Sequence, residues 1–303
     1  MAILANGAIM KSPSKKGLEL FGLRISRPDP EPQTLDEVRP YLPSGDPGIV
    51  DLPKKVLRRL GLRISRISAE VDQLNLVEAS DVDLQILNAV RPYTMTSAAR
   101  VWALVNAIQY ISRNRIEGDI CECGVWRGGS SMAAALKLKS LGDSRQLWLY
   151  DTFAGMSEPT AHDKVTHNAA SAYGEWREHQ RGNTLNEWCF APLDDVQRNM
   201  QSTGYPMNLV SFVVGKVEHT LSVPSNIPCA ISVLRLDTDW YESTKVELET
   251  LYDRVSPGGV VIIDDYGHWD GTRRAVEEFF ASRPRKMLLD RIDKAGRIGV
   301  KID

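Results

Sequence analysis

The 303-residue chain has few cysteines, few aromatic residues and no long apolar run. Its four cysteines, at positions 121, 123, 189 and 229, are too few for a disulfide framework in a chain of this length, which favours reduced thiols. No stretch approaches the roughly 18 to 20 apolar residues that a membrane span needs. The apolar opening MAILANGAIM is followed by lysines rather than preceded by them, the reverse of a secretory signal. These absences predict a cytoplasmic protein without a membrane span.

Neither positive nor negative charge is in marked excess over the whole chain, whose formal net charge is −2. The balance hides an asymmetry, because residues 11 to 66 hold 12 Lys and Arg against 7 Asp and Glu. The remainder of the chain is therefore acidic. An acidic domain is poorly suited to hold nucleic-acid phosphates, so we expect no nucleic-acid partner.

The first 90 residues form a predicted extension that contains a repeat. KKGLELFGLRISR at 15–27 returns as KKVLRRLGLRISR at 54–66, with nine of 13 positions identical. Each copy is typical of a short basic amphipathic helix followed by a brief strand. The extension is predicted to dock on the main domain or on a second subunit of a homodimer or higher homo-oligomer. Weak peripheral contact with anionic lipid is the alternative.

Residues 91–303 show the alternation of strands and helices that predicts an α/β fold with a doubly wound parallel sheet. Five apolar strands, each followed by a helix or a long loop, precede two further strands joined by Ala295-Gly296. A closing hairpin with one reversed strand gives seven strands in all. This ending is typical of the Rossmann-like class I methyltransferase sheet rather than of a dinucleotide-binding one.

A glycine-rich turn, ECGVWRGGSS, follows the first of these strands and opens a helix. Gly124 lets the backbone approach a ligand closely, and Ser130 is a candidate cap of the helix. The spacing is G-x-x-x-G-G and differs from the G-x-G-x-x-G of dehydrogenases. Glu122 lies inside the strand and Asp151 ends the next one, where a carboxylate accepts the ribose hydroxyls of an adenosine cofactor.

Carboxylates end two later strands. Asp237 follows CAISVLRL, and Asp264 and Asp265 follow GGVVII. Parallel neighbouring strands end at the same edge of a sheet, where ligands bind in α/β folds. Three oxygen donors there form the hard site that Mg²⁺ prefers, and no suitably spaced Cys and His indicate zinc.

Asp239, two residues beyond Asp237, is the candidate general base. Methyl transfer from the sulfonium of S-adenosylmethionine to an alcohol needs the alcohol deprotonated. A divalent cation polarises the hydroxyl, and a nearby base takes the proton. His268 and His162 are rival bases.

The motifs RPYTMTSAAR, ECGVWRGGSS, YDTFAGM, GKVEHTL, LRLDTDWYESTK and GGVVIIDDYGHWDG together resemble the macrocin O-methyltransferase family. The resemblance spans roughly residues 88 to 303. It implies an enzyme of natural-product biosynthesis that depends on S-adenosylmethionine and Mg²⁺ and methylates sugar hydroxyls, as on macrolide and aminocoumarin glycosides.

The resemblance also implies roles for particular residues. Asp237, Asp264 and Asp265 would bind the metal, and Asp239 would be the base. The positions implied for the cofactor are Thr94, Met95, Glu122, Gly124, Ser130, Asp151, Val217 and Glu218. The sequence departs from the family pattern at His219, where an acid is expected.

A long insertion at about 158–205 is predicted to form a lid that selects the acceptor. Its His162, His167, Trp176, His179 and Trp188 suit stacking against a sugar. The acceptor would then be a sugar hydroxyl of a glycosylated small molecule or glycan. Two alternatives remain open at this point: a catechol acceptor, and a non-catalytic cofactor-binding subunit.

Overall fold

The computed structural model describes the strands at 23–26 and 63–66 and residues 75–284 and 287–303. The chain divides into two compact units, Met1–Asn75 and Leu76–Asp303. Within the described residues, no helix has the length and apolar character needed to cross a membrane.

The first unit contains two short strands, β1 (Leu23–Ser26) and β2 (Arg63–Arg66), which pair antiparallel. They are the strands predicted in the two copies of the repeat. Ile25 lies opposite Ile64, its equivalent in the other copy, so the copies pair about a local twofold centre. The helices predicted in each copy lie outside the described residues.

The second unit is built on a seven-stranded sheet with the order β10-β11-β9-β8-β3-β4-β7. Only β11 runs against its neighbours, because it pairs antiparallel with both β9 and β10. The predicted seven-stranded class I methyltransferase sheet is therefore confirmed. The strands are β3 (Asp119–Cys123), β4 (Leu147–Asp151), β7 (Val210–Val214), β8 (Ile231–Leu236), β9 (Val255–Ile263), β10 (Asp290–Arg291) and β11 (Arg297–Val300).

Helices cover the sheet. They are α1 (Asp81–Val90), α2 (Ala98–Arg113), α3 (Gly129–Leu141), α4 (Tyr173–His179), α5 (Leu193–Ser202), α6 (Val217–Thr220), α7 (Tyr241–Leu251) and α8 (Asp270–Ala281). Short 3-10 turns occupy Arg91–Tyr93, Met207–Leu209, Pro224–Asn226 and Tyr252–Arg254. Every residue of β8 is buried, as expected of a central parallel strand covered on both faces. Cys121 and Cys123 are fully buried in the same core and act there as small apolar residues.

The boundary between the compact units falls before α1, earlier than the boundary predicted at residue 90. Helix α1 belongs to the second unit because it packs on α3, where Lys137 Nζ lies 2.5 Å from Asp83 Oδ1. Both side chains are buried.

Helices α2 and α3 begin with different caps. The Ser97 hydroxyl accepts a hydrogen bond from the backbone N–H of Arg100 and caps α2. Ser130, in contrast, is the second residue of α3, and the cap position is Gly128 with φ +86°. The prediction of Ser130 as a cap was wrong because the left-handed turn can be made by Gly128, which has no Cβ.

The predicted lid between β4 and β7 contains α4, α5 and a small hairpin of β5 (Gln180–Arg181) and β6 (Leu185–Asn186). Its first part is hydrogen-bonded to the loops that follow β8 and β9. Trp240 Nε1 donates to the Ser157 carbonyl over 2.9 Å, and Val165 forms a bridge with Trp269. These bonds hold the lid against the edge of the sheet where the aspartates lie.

Candidate active site

A cavity of about 400 Å³ opens at the carboxyl ends of the parallel strands. It is lined by residues that follow β3, β4, β8 and β9, together with residues of the lid. Both its position and its size are typical of ligand sites in α/β folds.

Asp237, Asp264 and Asp265 converge in this cavity. One carboxylate oxygen from each lies within 4.8 Å of the others. The parallel register explains this, because Leu236 of β8 lies opposite Ile263 of β9 and the next residues leave the sheet side by side. The backbone N–H of Asp264 donates to the carbonyl of Leu236 over 2.9 Å and fixes the alignment.

The three aspartates are costly to bury together. Burial raises the pKa of Asp237 and of Asp265 well above the usual range, and neighbouring carboxylates raise both further. The buried Oδ2 of Asp265 has no hydrogen-bond partner among the described residues. A cluster of this kind is stabilised by a proton or by a cation.

Arg235 lies beneath the cluster and was not identified from the sequence. Its guanidinium is buried, with Nη1 2.5 Å from Glu122 Oε1 and 2.8 Å from Asp237 Oδ2. Its Nη2 lies 2.9 Å from Asp264 Oδ1. The available signal was an arginine within an otherwise apolar strand, since buried arginine is almost always paired.

Arg100 of α2 is the second cation of the cluster. Its Nη1 pairs with Asp264 Oδ2, and its Nε lies 3.1 Å from Asp293 Oδ2. The two guanidinium groups therefore lie among five carboxylates, those of Glu122, Asp237, Asp239, Asp264 and Asp265. Acid remains in excess, which favours a divalent cation over an empty cluster.

Asp239 lies beside the cluster in an unusual backbone conformation, with φ +70°. Its Oδ1 accepts a hydrogen bond of 2.8 Å from Trp269 Nε1. Burial raises the pKa of Asp239 to about 7, with Asp237 adding to the shift. A carboxyl group with such a pKa is suited to accept a proton near neutral pH.

The rival bases differ in position. His268 lines the cavity, and burial lowers its pKa. His162 does not line the cavity: its ring packs on Tyr241 with centroids 4.7 Å apart, and its Nδ1 lies 2.9 Å from Arg274 Nη1. Of the two rival bases, His268 is therefore the one that lines the cavity.

The glycine-rich turn lies directly against the acidic cluster. Gly124 has φ +84°, and a Cβ there would lie 1.9 Å from the Asp237 carbonyl oxygen. Asp151 holds the same turn, since its Oδ2 accepts from the backbone N–H of Val125 over 2.7 Å and of Trp126 over 3.0 Å. Burial raises the pKa of Asp151, and these hydrogen bonds oppose the shift.

The positions predicted for the cofactor divide into two groups. Those that line the cavity are Met95, Gly124, Asp151, Val217 and Glu218, and those that do not are Thr94, Glu122 and Ser130. The Glu122 carboxylate forms an ion pair with Arg235 and accepts a hydrogen bond from the Ser131 hydroxyl. Thr94 packs on Gly129, where a Cβ would lie 2.6 Å from the Thr94 Cβ.

Among the aromatic residues predicted in the lid, Trp188 alone lines the cavity. The others, His162, His167, Trp176 and His179, lie elsewhere on the lid. The cavity is also lined by four residues that were not predicted from the sequence: Trp126, Met156, Cys189 and Trp269. Nothing in their local sequence distinguishes them, since their placement depends on how the loops cross.

Comparison with known proteins identifies the family of the chain. Residues 59–298 match the family described as macrocin O-methyltransferase (TylF). The chain belongs to the macrocin O-methyltransferase family. It is therefore an S-adenosylmethionine-dependent O-methyltransferase.

Characterised relatives cover most of the chain. The 8-demethyl-8-(2,3-dimethoxy-alpha-L-rhamnosyl)-tetracenomycin-C 4'-O-methyltransferase of Streptomyces olivaceus is 34% identical over 83% of this chain and 90% of its own length. The mycinamicin III 3''-O-methyltransferase of Micromonospora griseorubida is 34% identical over 69% of this chain and 77% of its own.

Solved structures share the fold. The O-methyltransferase NovP is 28% identical and superposes with a TM-score of 0.59 over 70% of this chain and 83% of its own. The calicheamicin methyltransferase CalS11 shares the fold, with a TM-score of 0.52 at 16% identity over 90% of this chain and 98% of its own.

Proposed function

We propose that this enzyme methylates a sugar hydroxyl of a glycosylated small molecule, with Mg²⁺ at Asp237, Asp264 and Asp265 and with Asp239 as the general base. The observation that carries the proposal is the convergence of the three aspartates, with Asp239 beside them, in one cavity.

The residues present fit a divalent cation. Three carboxylates offer oxygen ligands at close range, and the buried Oδ2 of Asp265 lacks a partner among the described groups. Mg²⁺ prefers oxygen ligands of this kind. When bound, it would polarise the acceptor hydroxyl and orient it.

In the proposed reaction, the chain's own side chains accept the proton of the acceptor hydroxyl. Trp269 donates to Asp239 Oδ1, and Asp239 borders the cavity in which the acceptor would lie. Asp239 would take the hydroxyl proton as the acceptor oxygen gains the methyl group. When bound, S-adenosylmethionine would supply that methyl group and leave as S-adenosylhomocysteine.

The cofactor is proposed to bind along the ends of the strands. Asp151 would hold the ribose, Val217 and Glu218 would line the adenine, and Met95 would lie near the amino-acid end. Gly124 fits this assignment because its lack of a side chain lets the turn lie close to the Asp237 backbone.

A sugar acceptor is supported by an aromatic side chain of the cavity and by the relatives. Trp188 borders the cavity, and an indole face is suited to pack against the apolar face of a sugar. One relative's name gives a rhamnosyl-bearing tetracenomycin as its substrate.

The test is a transfer assay with labelled S-adenosylmethionine against glycosides, sugar nucleotides, glycolipids and catechols. The glycoside arm would include 4-methylumbelliferyl α-L-rhamnoside. We expect label on a glycoside, loss of transfer with EDTA, and recovery with Mg²⁺. Transfer to catechols alone would contradict the sugar acceptor, and full activity in EDTA would contradict the metal.

A further inference from the structure

Asp239 is held in a backbone conformation that an aspartate rarely adopts. Its φ of +70° lies in the left-handed region, and it is a non-glycine residue in a cavity wall. Strained residues of this kind persist only where the surrounding structure fixes them, and they concentrate at functional sites.

Two contacts from the start of α8 fix this residue. Trp269, the residue before the helix, donates from Nε1 to Asp239 Oδ1 over 2.8 Å. Thr272, in the first turn, donates from its hydroxyl to the Asp239 backbone carbonyl over 2.5 Å. One contact thus orients the carboxylate and the other holds the backbone.

Trp269 is itself tightly held. Only 6% of its surface is exposed, and its ring meets Trp240 edge-on with centroids 5.0 Å apart and Trp188 with centroids 6.2 Å apart. Its backbone also bridges to Val165 of the lid. An indole confined on three sides presents its N–H in one direction, which suits a group that must aim another.

We propose that Trp269 and Thr272 are positioning residues for methyl transfer, which hold the Asp239 carboxylate toward the acceptor hydroxyl. This inference rests on the proposed role of Asp239 as the base. Trp269 acts through Asp239, because its N–H is directed at the carboxylate and not at the reacting atoms.

The chain offers matched controls for both contacts. Trp148 Nε1 donates to Asp119 Oδ2 over 2.9 Å near the opposite end of the strands. This is the same bond type away from the cavity. The buried Thr203 hydroxyl donates to the Met200 carbonyl over 2.6 Å, which matches the Thr272 contact.

The kinetic experiment compares Trp269→Phe and Thr272→Val with Trp148→Phe and Thr203→Val in the full chain. With 4-methylumbelliferyl α-L-rhamnoside or the best glycoside of the panel, Trp269→Phe is expected to lower kcat by about 10- to 100-fold. The KM for the acceptor and the Kd for S-adenosylhomocysteine should change less than about threefold. Both controls should keep kcat within about twofold even where Tm falls.

A double variant separates a positioning role from a general loss of structure. In an Asp239→Asn enzyme, adding Trp269→Phe should lower the residual rate no further, because residues that act through one group are non-additive. If Trp269→Phe keeps wild-type kcat while Asp239→Asn is inactive, the positioning role is overturned and the proposed base stands. If Asp239→Asn is fully active, both the base and the positioning role fall.

An acceptor-independent measurement tests the contact itself. In ¹⁵N-labelled enzyme, Trp269→Phe identifies the indole N–H resonance of Trp269. We expect Asp239→Asn to shift this resonance and leave that of Trp148 in place. An unshifted Trp269 resonance would overturn the proposal.

Discussion

At the scale of single residues, Asp239 combines a left-handed backbone with a carboxyl group whose pKa is raised to about 7. The residue is half-buried beside three other aspartates, so its proton affinity reflects both burial and repulsion. A group with this pKa both accepts a proton at neutral pH and releases it again without a large penalty. Burial lowers the pKa of His268, so its imidazole is neutral at pH 7 and His268 remains the rival base.

The first prediction concerns this carboxylate. Asp239→Asn keeps the shape of the side chain and removes the proton acceptor, so kcat should fall by about 10²- to 10⁴-fold. The Kd for S-adenosylhomocysteine, measured by calorimetry, should remain within a few-fold. Asp194→Asn, at an exposed ion pair with Arg198, is the control and should leave kcat unchanged. Wild-type kcat in Asp239→Asn would eliminate this residue as the base.

The second prediction concerns Arg235. Replacing it by Met leaves Glu122, Asp237 and Asp264 buried without their shared partner, and breaking buried pairs of this kind costs about 3–5 kcal/mol. Urea unfolding should show that loss in the free energy of unfolding. Arg198→Met removes an exposed pair and should cost at most about 1 kcal/mol. Equal effects of the two changes would show that Arg235 does not hold the cluster.

The acidic cluster was predictable residue by residue, and its cations were not. Asp237, Asp264 and Asp265 each follow an apolar run, and parallel pairing brings such positions together whatever the details of the loops. Arg100 is different, because helix α2 reaches the cluster only through its packing on the sheet. No local pattern in the sequence encodes that approach.

At the scale of elements, α7 carries a charge-bearing residue on its buried face. Glu247 is fully buried, and its Oε1 accepts a hydrogen bond of 2.9 Å from the Thr238 hydroxyl. Burial raises the pKa of Glu247 from 4.5 to about 8. The native protein therefore holds a proton there that the unfolded chain releases above about pH 4.5.

The third prediction follows from the sign of this shift. Because the native state binds the extra proton, Glu247 lowers the free energy of unfolding as the pH rises from about 4.5 to about 8, by up to about 1.4 kcal/mol per pH unit. Glu247→Gln cannot ionise, so its stability should fall less over this range. Urea unfolding at several pH values measures the difference. Identical slopes in the two proteins would show that Glu247 is ionised in the native state.

The fourth prediction concerns the anchoring of the lid to α7 and α8. Asp163 is fully buried and accepts from the backbone N–H of Tyr241 over 2.8 Å. A Cβ at Gly271 would lie 2.1 Å from Asp163 Oδ1, so Gly271→Ala should displace the anchor. Hydrogen exchange should then rise in residues 158–172, and kcat/KM for the acceptor should fall.

Gly174→Ala is the control for the lid, because a Cβ there meets nothing within 4 Å. It should leave both exchange and kcat/KM unchanged. If Gly271→Ala leaves exchange in the lid at the wild-type rate, the lid is held by other contacts. The bridge between Val165 and Trp269 would then be the next to test.

At the scale of the whole molecule, the architecture of the second unit agrees closely with the one predicted from its sequence. Alternating apolar strands and amphipathic helices specify the order of a doubly wound sheet, and the turn at Ala295-Gly296 specifies the reversed strand. The position of the lid in the chain was predictable, but the residues that it turns toward the cavity were not. Of its predicted aromatic residues, only Trp188 reaches the cavity. Loop crossings depend on tertiary contacts such as that of Asp163 with Tyr241, which no periodic pattern reports.

The function of the duplicated motif in the first unit remains a prediction. The antiparallel pairing of β1 with β2 shows that its two copies associate with each other. Docking on a second subunit, the homo-oligomeric state and contact with lipid stay predictions.

The fifth prediction is the most direct. Crystals of the enzyme with S-adenosylhomocysteine are soaked in Mn²⁺, and the anomalous difference map is calculated. We expect one peak in the cavity, in contact with an oxygen of Asp237, of Asp264 and of Asp265, and a Mg²⁺ soak should displace it. An empty map at this position, or a peak that Asp237 does not touch, would contradict the metal site on which the proposed reaction depends.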